Sequence, residues 1–215
     1  MAAPKSFLAH LGVPPSTVSP AARDSILIII DAQNEYLNGF LTISQETIAY
    51  SRPNILTLLQ RYRAARAPVA HIKHVTPAGA PVFTPGTELA EIFPELAPLP
   101  ERVARAEGNT DFEVIVTKTF PSAFADTNLE AVIKRAGVRK VVLVGYMAHV
   151  CVSTTARHAQ QLGYETIVIS DAVGERDLPA VGGGKLGATG KEVAEMVMVE
   201  LADSFATVLK TEDVQ

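Results

Sequence analysis

The chain has 215 residues, of which 47% are hydrophobic and 20% charged, values typical of a globular protein long enough to bury its own core. The formal net charge is −4 at pH 7 and no basic stripe is present, which argues against nucleic acid as a partner. The single cysteine, Cys151, excludes an internal disulfide and favours a reducing compartment.

The predicted elements begin with an N-terminal arm over residues 1–24, rich in Pro, Ala and Ser, and continue as one domain over residues 25–215. The arm lacks an apolar run of the length that a secretory signal needs, and the run ILIII at 26–30 is far too short to span a bilayer. We therefore expect a cytoplasmic protein without a membrane partner. The same run lies in a first predicted strand, 25–33, whose lack of alternation is typical of a strand buried on both faces.

Strands and helices alternate along the rest of the chain. A helix over 44–66 has Ser44 as its N-cap, and Pro53 predicts a break or a kink in it. The remaining predictions are strands at 67–75, 112–119, 138–145, 164–172 and 204–211, and helices at 128–137, 150–163 and 191–203. With right-handed crossovers, this order predicts an α/β fold with one mostly parallel sheet and helices on both faces.

Three chemically reactive side chains follow the carboxyl ends of predicted strands. Asp31 ends the first strand, Lys118 the third, and Cys151 follows the fourth. Each alone has an ordinary interpretation, as a turn residue, a solvated strand end or a small buried side chain. Ligands of open α/β sheets bind at this edge, so we expect the three residues to lie in one crevice.

Together the three residues are suited to nucleophilic catalysis. A thiol attacks as thiolate, and a helix N-terminus and a lysine beside Cys151 are expected to lower its pKa from about 8.5. Asp31 could accept the thiol proton and return it to a leaving group. Backbone amides at the junction of strand and helix can form an oxyanion hole. These parts suffice to hydrolyse an amide through a thioester.

The segments IIIDAQNEYLNG, VTKTFPSAF and VVLVGYMAHVCVSTTARHAQQLGYETIVISDAVGERD resemble the isochorismatase-like cysteine hydrolase superfamily, which includes nicotinamidases and carbamoylsarcosine amidohydrolases. The resemblance covers nearly the whole chain and implies a three-layer α/β/α sandwich around a six-stranded parallel sheet. It implies Asp31 as general base, Lys118 as the orienting cation and Cys151 as nucleophile. It further implies a cis peptide bond between Tyr146 and Met147, with the amides of Met147 and Cys151 in the oxyanion hole.

The chain departs from the metal-binding members of this superfamily. Nicotinamidases carry an Asp-x-His…His metal site, whereas NEYLNGFLTISQET, which follows the first strand, has no histidine. His71 and His74 lie close together without an obvious third ligand. We therefore expect no metal and no cofactor.

The resulting hypothesis is a cysteine-dependent amidohydrolase that acts on a small amide, ureide or carbamoyl compound, a carbon–nitrogen bond other than a peptide bond. True isochorismatases cleave a vinyl ether and need no thioester, so the presence of Cys151 favours an amidase. One alternative is an isochorismatase-type hydrolase that releases pyruvate, with Cys151 as a bystander. A second is a non-catalytic scaffold of the same fold.

The specificity of such a site is expected to come from the loops 34–44, 76–112 and 174–190. The candidate pocket residues are Gln33, Tyr36, Phe40, His74, Phe120, Phe124, Tyr146 and His149. Gln33 is more simply interpreted as a tie between loops, and His149 as a side chain that sets the turn before Cys151. The resemblance also implies a homo-oligomer, a dimer, tetramer or octamer, with the helix 191–203 and the segment 76–112 as candidate interfaces.

Overall fold

The computed structural model describes residues 3–105 and 110–215. The strands are β1 (Ser25–Ile30), β2 (Val69–His74), β3 (Glu113–Lys118), β4 (Lys140–Gly145), β5 (Glu165–Val173), β6 (Leu178–Pro179), β7 (Leu186–Ala188) and β8 (Thr207–Leu209). The α-helices are α1 (Phe7–His10), α2 (Glu35–Asn38), α3 (Gln45–Ala64), α4 (Pro100–Val103), α5 (Leu129–Ala136), α6 (Ser153–Gln161) and α7 (Gly190–Ser204). Within the described residues, no helix is both long enough and apolar enough to cross a membrane.

Six strands form one sheet in the order β3-β2-β1-β4-β5-β8, and every pairing in it is parallel. The even-numbered isoleucines of β1 face the core formed with α5, α6 and α7, and its odd-numbered residues face the core formed with α3. Helices therefore cover both faces, which explains why β1 is buried along its whole length. The predicted α/β/α sandwich around a six-stranded parallel sheet is confirmed. The loop 174–190 also contains a small antiparallel pair of strands, β6 and β7, that was not predicted.

The strand order reverses between β1 and β4, which are neighbours in the sheet. Such a reversal opens a crevice at the carboxyl ends of the two strands, because the following connections leave in opposite directions. Gly145, at the end of β4, has a φ of +115°, and a Cβ there would lie 2.1 Å from the Ile30 carbonyl oxygen. Glycine is therefore required for β4 to approach β1 this closely.

Helix α3 continues through Pro53, so the predicted break there is wrong. Ser44 caps the helix as predicted, with its Oγ accepting from the Thr47 amide at 3.4 Å. An interior proline costs about 3 kcal/mol relative to alanine. Ile55, Leu58 and other apolar residues of α3 are fully buried, and each such side chain contributes about 1.5–3 kcal/mol, which outweighs that cost.

The segment 76–112 is irregular, as predicted, in the part that the structure describes. It contains two short 3-10 turns, Glu88–Ala90 and Pro94–Leu96, before α4. Residues 106–109, which fall within this prediction, lie outside the described residues. Phe83, Phe93 and Leu96 bury their side chains against the α3 side of the sheet, so the segment is packed as part of the core.

The N-terminal arm lies along the last strand of the sheet. The Ser16 amide donates to Thr207 Oγ1 at 2.9 Å, and Val18 forms a parallel bridge with Val214. The last strand itself is shorter than the predicted 204–211, because α7 continues to Ser204 before β8 begins at Thr207.

Glu113 anchors the start of the edge strand β3. Its carboxylate accepts from Arg63 Nε and a terminal Arg63 nitrogen at 2.8 and 2.9 Å, from the Leu99 amide at 3.2 Å, and lies 3.0 Å from His71 Nε2. Burial acts to raise the pKa of Glu113, but the hydrogen bonds from His71 and Arg63 outweigh it and lower the pKa to about 2. The network ties α3 and β2 to the strand that ends at Lys118.

Replacing Glu113 with alanine is expected to lower the free energy of unfolding by about 3 kcal/mol, because the buried His71 and Arg102 and the partly buried Arg63 lose their partner. The pKa of Glu113 is depressed in the folded state, so its contribution is fully present above the ordinary value near 4.5 and is lost as the pH falls towards 2. Urea unfolding at neutral and at acidic pH measures both effects. The exposed Glu165, which starts β5, provides the matched control, and an equal loss in Glu165→Ala would contradict the prediction.

Candidate active site

Asp31, Lys118 and Cys151 come together at the carboxyl edge of the sheet. Lys118 Nζ lies 2.7 Å from Asp31 Oδ2 and donates to Cys151 Sγ at 3.3 Å. Asp31 is fully buried, and Lys118 and Cys151 are only 1% and 5% exposed. The crevice therefore holds an ion pair and a thiol in direct contact and almost without solvent.

The strand order determines how Lys118 reaches Asp31. Lys118 ends β3, Asp31 follows β1, and β2 lies between these two strands. Adjacent strands are about 4.8 Å apart, so the lysine side chain has to pass over the end of β2. Asp31 itself has a φ of +50°, a left-handed conformation that aspartate tolerates better than most residues. This conformation turns the chain out of β1 directly at the site.

Cys151 lies in a single π-helical turn, Ala148–Val152, and α6 begins only at Ser153. The predicted helix 150–163 is therefore preceded by a wider turn, in which the Val152 amide donates to the Met147 carbonyl at 3.1 Å. Such π-helical turns occur frequently at functional sites. The Tyr146–Met147 peptide bond is cis, as the resemblance implies.

The pKa of the Cys151 thiol is raised, and the prediction that it would be lowered is wrong. Burial is the largest cause and the negative charge of Asp31 adds to it, whereas Lys118 acts in the opposite direction. Burial also acts to lower the pKa of Lys118, but the negative charge of Asp31 and the hydrogen bonds with Asp31 and Cys151 outweigh it and raise the pKa. The resting site thus holds a protonated thiol beside an ion pair.

The backbone amides around Cys151 differ in their partners. The amides of Tyr146, Ala148 and His149 donate to Ile30 O, Gly174 O and Glu175 Oε2, at 2.9, 3.1 and 2.9 Å. Across residues 3–105 and 110–215, no hydrogen-bond acceptor is found for the Met147 amide, although Met147 is buried. A buried amide without an acceptor is unusual, and it can serve as a donor to a bound oxygen.

His74 contacts the cluster through Lys118. Lys118 Nζ lies 2.9 Å from His74 Nδ1, and the two residues are register partners on β2 and β3. Gln33 fixes the backbone of His74: its Oε1 accepts from the His74 amide at 2.8 Å and its Nε2 donates to the His74 carbonyl at 2.9 Å. Gln33 also donates to the Ala90 carbonyl at 2.7 Å, so its amide is occupied in tying loops together.

Two other pocket candidates, Tyr36 and His149, lie close to the cluster. The pKa of the buried Tyr36 is raised by burial first and then by the negative charge of Asp31. His149 Nδ1 lies 2.6 Å from Oε2 of the buried Glu175, which also accepts from the His149 amide, so this pair holds the turn before Cys151.

The aromatic pocket candidates differ in how deeply they are buried. Tyr146 is fully buried, with its hydroxyl 3.2 Å from Ser51 Oγ, and Phe124 packs against His158 and Tyr164. Phe40 and Phe120 are 81% and 51% exposed, so the prediction that they enclose a pocket is not supported in the single chain.

Phe83 was missed by the sequence interpretation. Its ring packs edge-on against His74 and Tyr36, with centroids 5.2 and 5.3 Å apart. A φ of +50° turns it back from the segment 76–112 onto the site. Its only sequence signal is an aromatic residue in a Pro- and Gly-rich stretch, which does not indicate its direction.

No group of three or more His, Cys, Asp or Glu side chains that could hold a metal ion is found in residues 3–105 and 110–215. His71, one of the two histidines considered as ligands, contacts Glu113 in the core. The absence of a cofactor stays a prediction.

A family model described as "Isochorismatase domain" matches residues 25–213. A secreted isochorismatase effector of Verticillium dahliae is 52% identical over 97% of this chain and 98% of that protein. A ureidoacrylate amidohydrolase of Rhizobium rhizogenes is 26% identical over 74% of this chain and 72% of that protein. The crystal structure of an isochorismatase from Pseudomonas putida superposes with a TM-score of 0.85 at 30% identity, over 99% of this chain and 100% of that one.

Proposed function

The chain belongs to the isochorismatase family, a family of hydrolases, and from this membership we propose that it is a cysteine-dependent amidohydrolase of a small amide, ureide or carbamoyl compound. The observation that carries the proposal is the contact of Lys118 with both Asp31 and Cys151 inside a buried crevice. A bystander cysteine would not need a buried ion pair beside it, and burying such a pair is costly. The amidohydrolase named among the relatives supports this reaction class.

In the proposed reaction, Cys151 Sγ attacks the amide carbonyl carbon while its proton passes to Asp31. The pKa of the Cys151 thiol is raised, so the thiol is protonated before the reaction. Attack and proton transfer in one step suit such a thiol, because no separate thiolate has to form first. The tetrahedral intermediate then breaks its carbon–nitrogen bond, and Asp31 returns the proton to the leaving nitrogen. Water next attacks the thioester, gives one proton to Asp31 and releases the acid, after which Cys151 regains its proton.

The amides of Met147 and Cys151 are the proposed donors to the oxygen of the tetrahedral intermediate. The Met147 amide is supported by its lack of an acceptor among the described residues. Lys118 keeps its positive charge throughout and stabilises the negative charge as it moves between Asp31 and Sγ. Its raised pKa is consistent with that role.

The charge around Tyr36 supports an uncharged substrate. Burial raises the pKa of Tyr36 most, followed by the negative charges of nearby carboxylates, which include Asp31, Glu175 and Glu35. Asp31, Glu35 and Glu175 are fully buried, and Lys118 balances the first of them. A dicarboxylate such as isochorismate would add negative charge to this region, whereas an amide or ureide would not.

A second candidate function is the cleavage of the vinyl ether of isochorismate, with release of pyruvate. One observation favours it: the relative that is 52% identical over nearly its whole length is named an isochorismatase effector. In this case Lys118 and Asp31 transfer a proton to the terminal carbon of the vinyl group, and water adds to the carbon that bears the ether oxygen and returns a proton to the pair. The hemiketal then breaks its carbon–oxygen bond and releases pyruvate, and Cys151 is not required.

A panel of small amides, ureides and isochorismate, read by the release of ammonia and of pyruvate, tests these candidates. We expect ammonia from at least one uncharged amide or ureide, and its loss in Cys151→Ala. Pyruvate from isochorismate that persists in Cys151→Ala, without ammonia from any amide, would establish the second candidate instead. No product from the whole panel would favour a non-catalytic scaffold.

The location and assembly of the chain are further proposals. We propose a cytoplasmic location, supported by the free Cys151, although the Verticillium relative is named as secreted. Fractionation of the source cells and their medium tests it. We also propose a homo-oligomer, for which the exposed Met196 and Val199 on α7 offer an apolar face. A monomeric mass by light scattering would contradict this.

A further inference from the structure

We propose that His74 is a positioning residue for Lys118: the neutral imidazole holds the Lys118 ammonium over Asp31 and Cys151, and protonation of His74 releases it. This inference rests on the proposed function, because it describes how the same site is kept in its reactive arrangement. His74 thereby joins Asp31, Lys118 and Cys151 as a fourth residue of the site, although it contacts no reacting atom.

The partners of Lys118 carry the inference. An ammonium group has three N–H donors and cannot accept a hydrogen bond. Lys118 Nζ has three neighbours at hydrogen-bond distance, Asp31 Oδ2 at 2.7 Å, Cys151 Sγ at 3.3 Å and His74 Nδ1 at 2.9 Å. Each donor therefore has one partner. Because Nδ1 has to accept, the imidazole is neutral and carries its proton on Nε2.

The imidazole is itself held in place from two sides. Gln33 binds both the amide and the carbonyl of His74, which fixes the backbone at the end of β2. The Phe83 ring packs edge-on against the imidazole, with centroids 5.2 Å apart. His74 also ends the strand over which Lys118 has to pass to reach Asp31. The acceptor thus lies where the lysine side chain needs support.

Protonation of His74 would replace this hydrogen bond with a repulsion between two cations. The titratable groups that face His74 are Lys118 on β3 and Asp31 after β1, while Gln33 and Phe83 are uncharged. Burial and then Lys118 lower the pKa of His74, and Asp31 acts in the opposite direction. The imidazole is therefore neutral at neutral pH, and the contact between His74 and Lys118 is lost only in acid.

Alkylation of Cys151 by iodoacetamide tests the inference without a known substrate, because the chain has no other cysteine. In the intact protein the thiol proton can pass to Asp31 during attack. We therefore expect an alkylation rate that follows the ionisation of the site rather than that of a free thiol, nearly constant from pH 6 to pH 8 and falling in acid. In His74→Asn, whose Oδ1 can accept in place of Nδ1 without titrating, we expect the rate to persist to lower pH. In His74→Leu we expect a rate about tenfold lower than that of the intact protein between pH 6 and pH 8, with the difference closing in acid, where the intact protein also loses the contact.

The exposed His10, outside the site, provides the control variant His10→Asn, which should follow the intact protein. Thermal unfolding of each variant shows whether it is folded. Equal rates in His74→Asn and folded His74→Leu, or a fall in acid that is unchanged in His74→Asn, would overturn the role of His74. Ammonia release that persists in Cys151→Ala would instead overturn the proposed function.

Discussion

Cys151→Ala is expected to abolish amide hydrolysis, with a loss in kcat of about a thousandfold or more, while the fold is retained. The side chain is the only group in the crevice that can form the thioester, so the covalent path is lost altogether. Cys151 is buried in the core that includes Ala148 and Val152, and its exchange for alanine removes one sulfur atom there. Steady-state ammonia release with the best substrate of the panel measures the effect.

The matched control is Ser153→Ala, at the first residue of α6, whose buried hydroxyl accepts from Arg157 Nε at 3.2 Å. It should keep most of the activity. If Cys151→Ala retained turnover comparable to that control, Cys151 would not be the nucleophile. The vinyl-ether reaction would then be the better account of the site.

Lys118→Met is expected to reduce both activity and stability. Methionine fills much of the same space but leaves the fully buried Asp31 without its cation, and breaking one side of a buried pair costs about 3–5 kcal/mol. Activity should fall at least a hundredfold, because neither Asp31 nor the thiol keeps its orientation. Urea unfolding and ammonia release measure the two losses separately.

The double variant Lys118→Met with Asp31→Asn separates the structural from the chemical contribution. Removing both charges should restore much of the lost stability, since no uncompensated carboxylate remains, yet activity should stay lost. Lys140→Met is the control, because the Lys140 pair with Asp24 is partly exposed and should contribute about 1 kcal/mol or less. A Lys118→Met protein as stable as Lys140→Met would contradict the assignment of a costly buried pair.

Much of the fold could be predicted because the signals were local. The run ILIII has no alternation of apolar and polar residues, which indicated a strand covered on both faces. In the structure this run lies in β1, which is buried along its whole length. Asp31 and Lys118 could be singled out because charged residues at the ends of apolar strands are conspicuous. Pro53 misled the prediction, since a local helix-breaking preference was outweighed by the burial of the α3 face, which depends on the whole sheet.

The details of the site could not be predicted, because they depend on strand order and on solvent. The pairing of His74 with Lys118 requires β2 to lie beside β3, and the residues of the two strands do not determine that adjacency. The direction of the Cys151 pKa depends on burial and on the nearby carboxylate of Asp31, neither of which a position before a helix reveals. Phe83 reaches the site through one left-handed residue conformation within a long irregular segment.

The arm along β8 has a consequence for solubility. β8 is a short strand at the edge of the sheet, and the arm and the C-terminal residues meet beside it, with the Gln215 amide donating to the Val18 carbonyl at 3.2 Å. Uncovered strand edges act as templates on which further chains add by backbone pairing, and such growth leads to aggregates. The arm therefore lies where it covers part of this edge, and we expect a protein shortened to start at β1 to precipitate more readily as sheet-rich aggregates, even with the crevice at Asp31 intact.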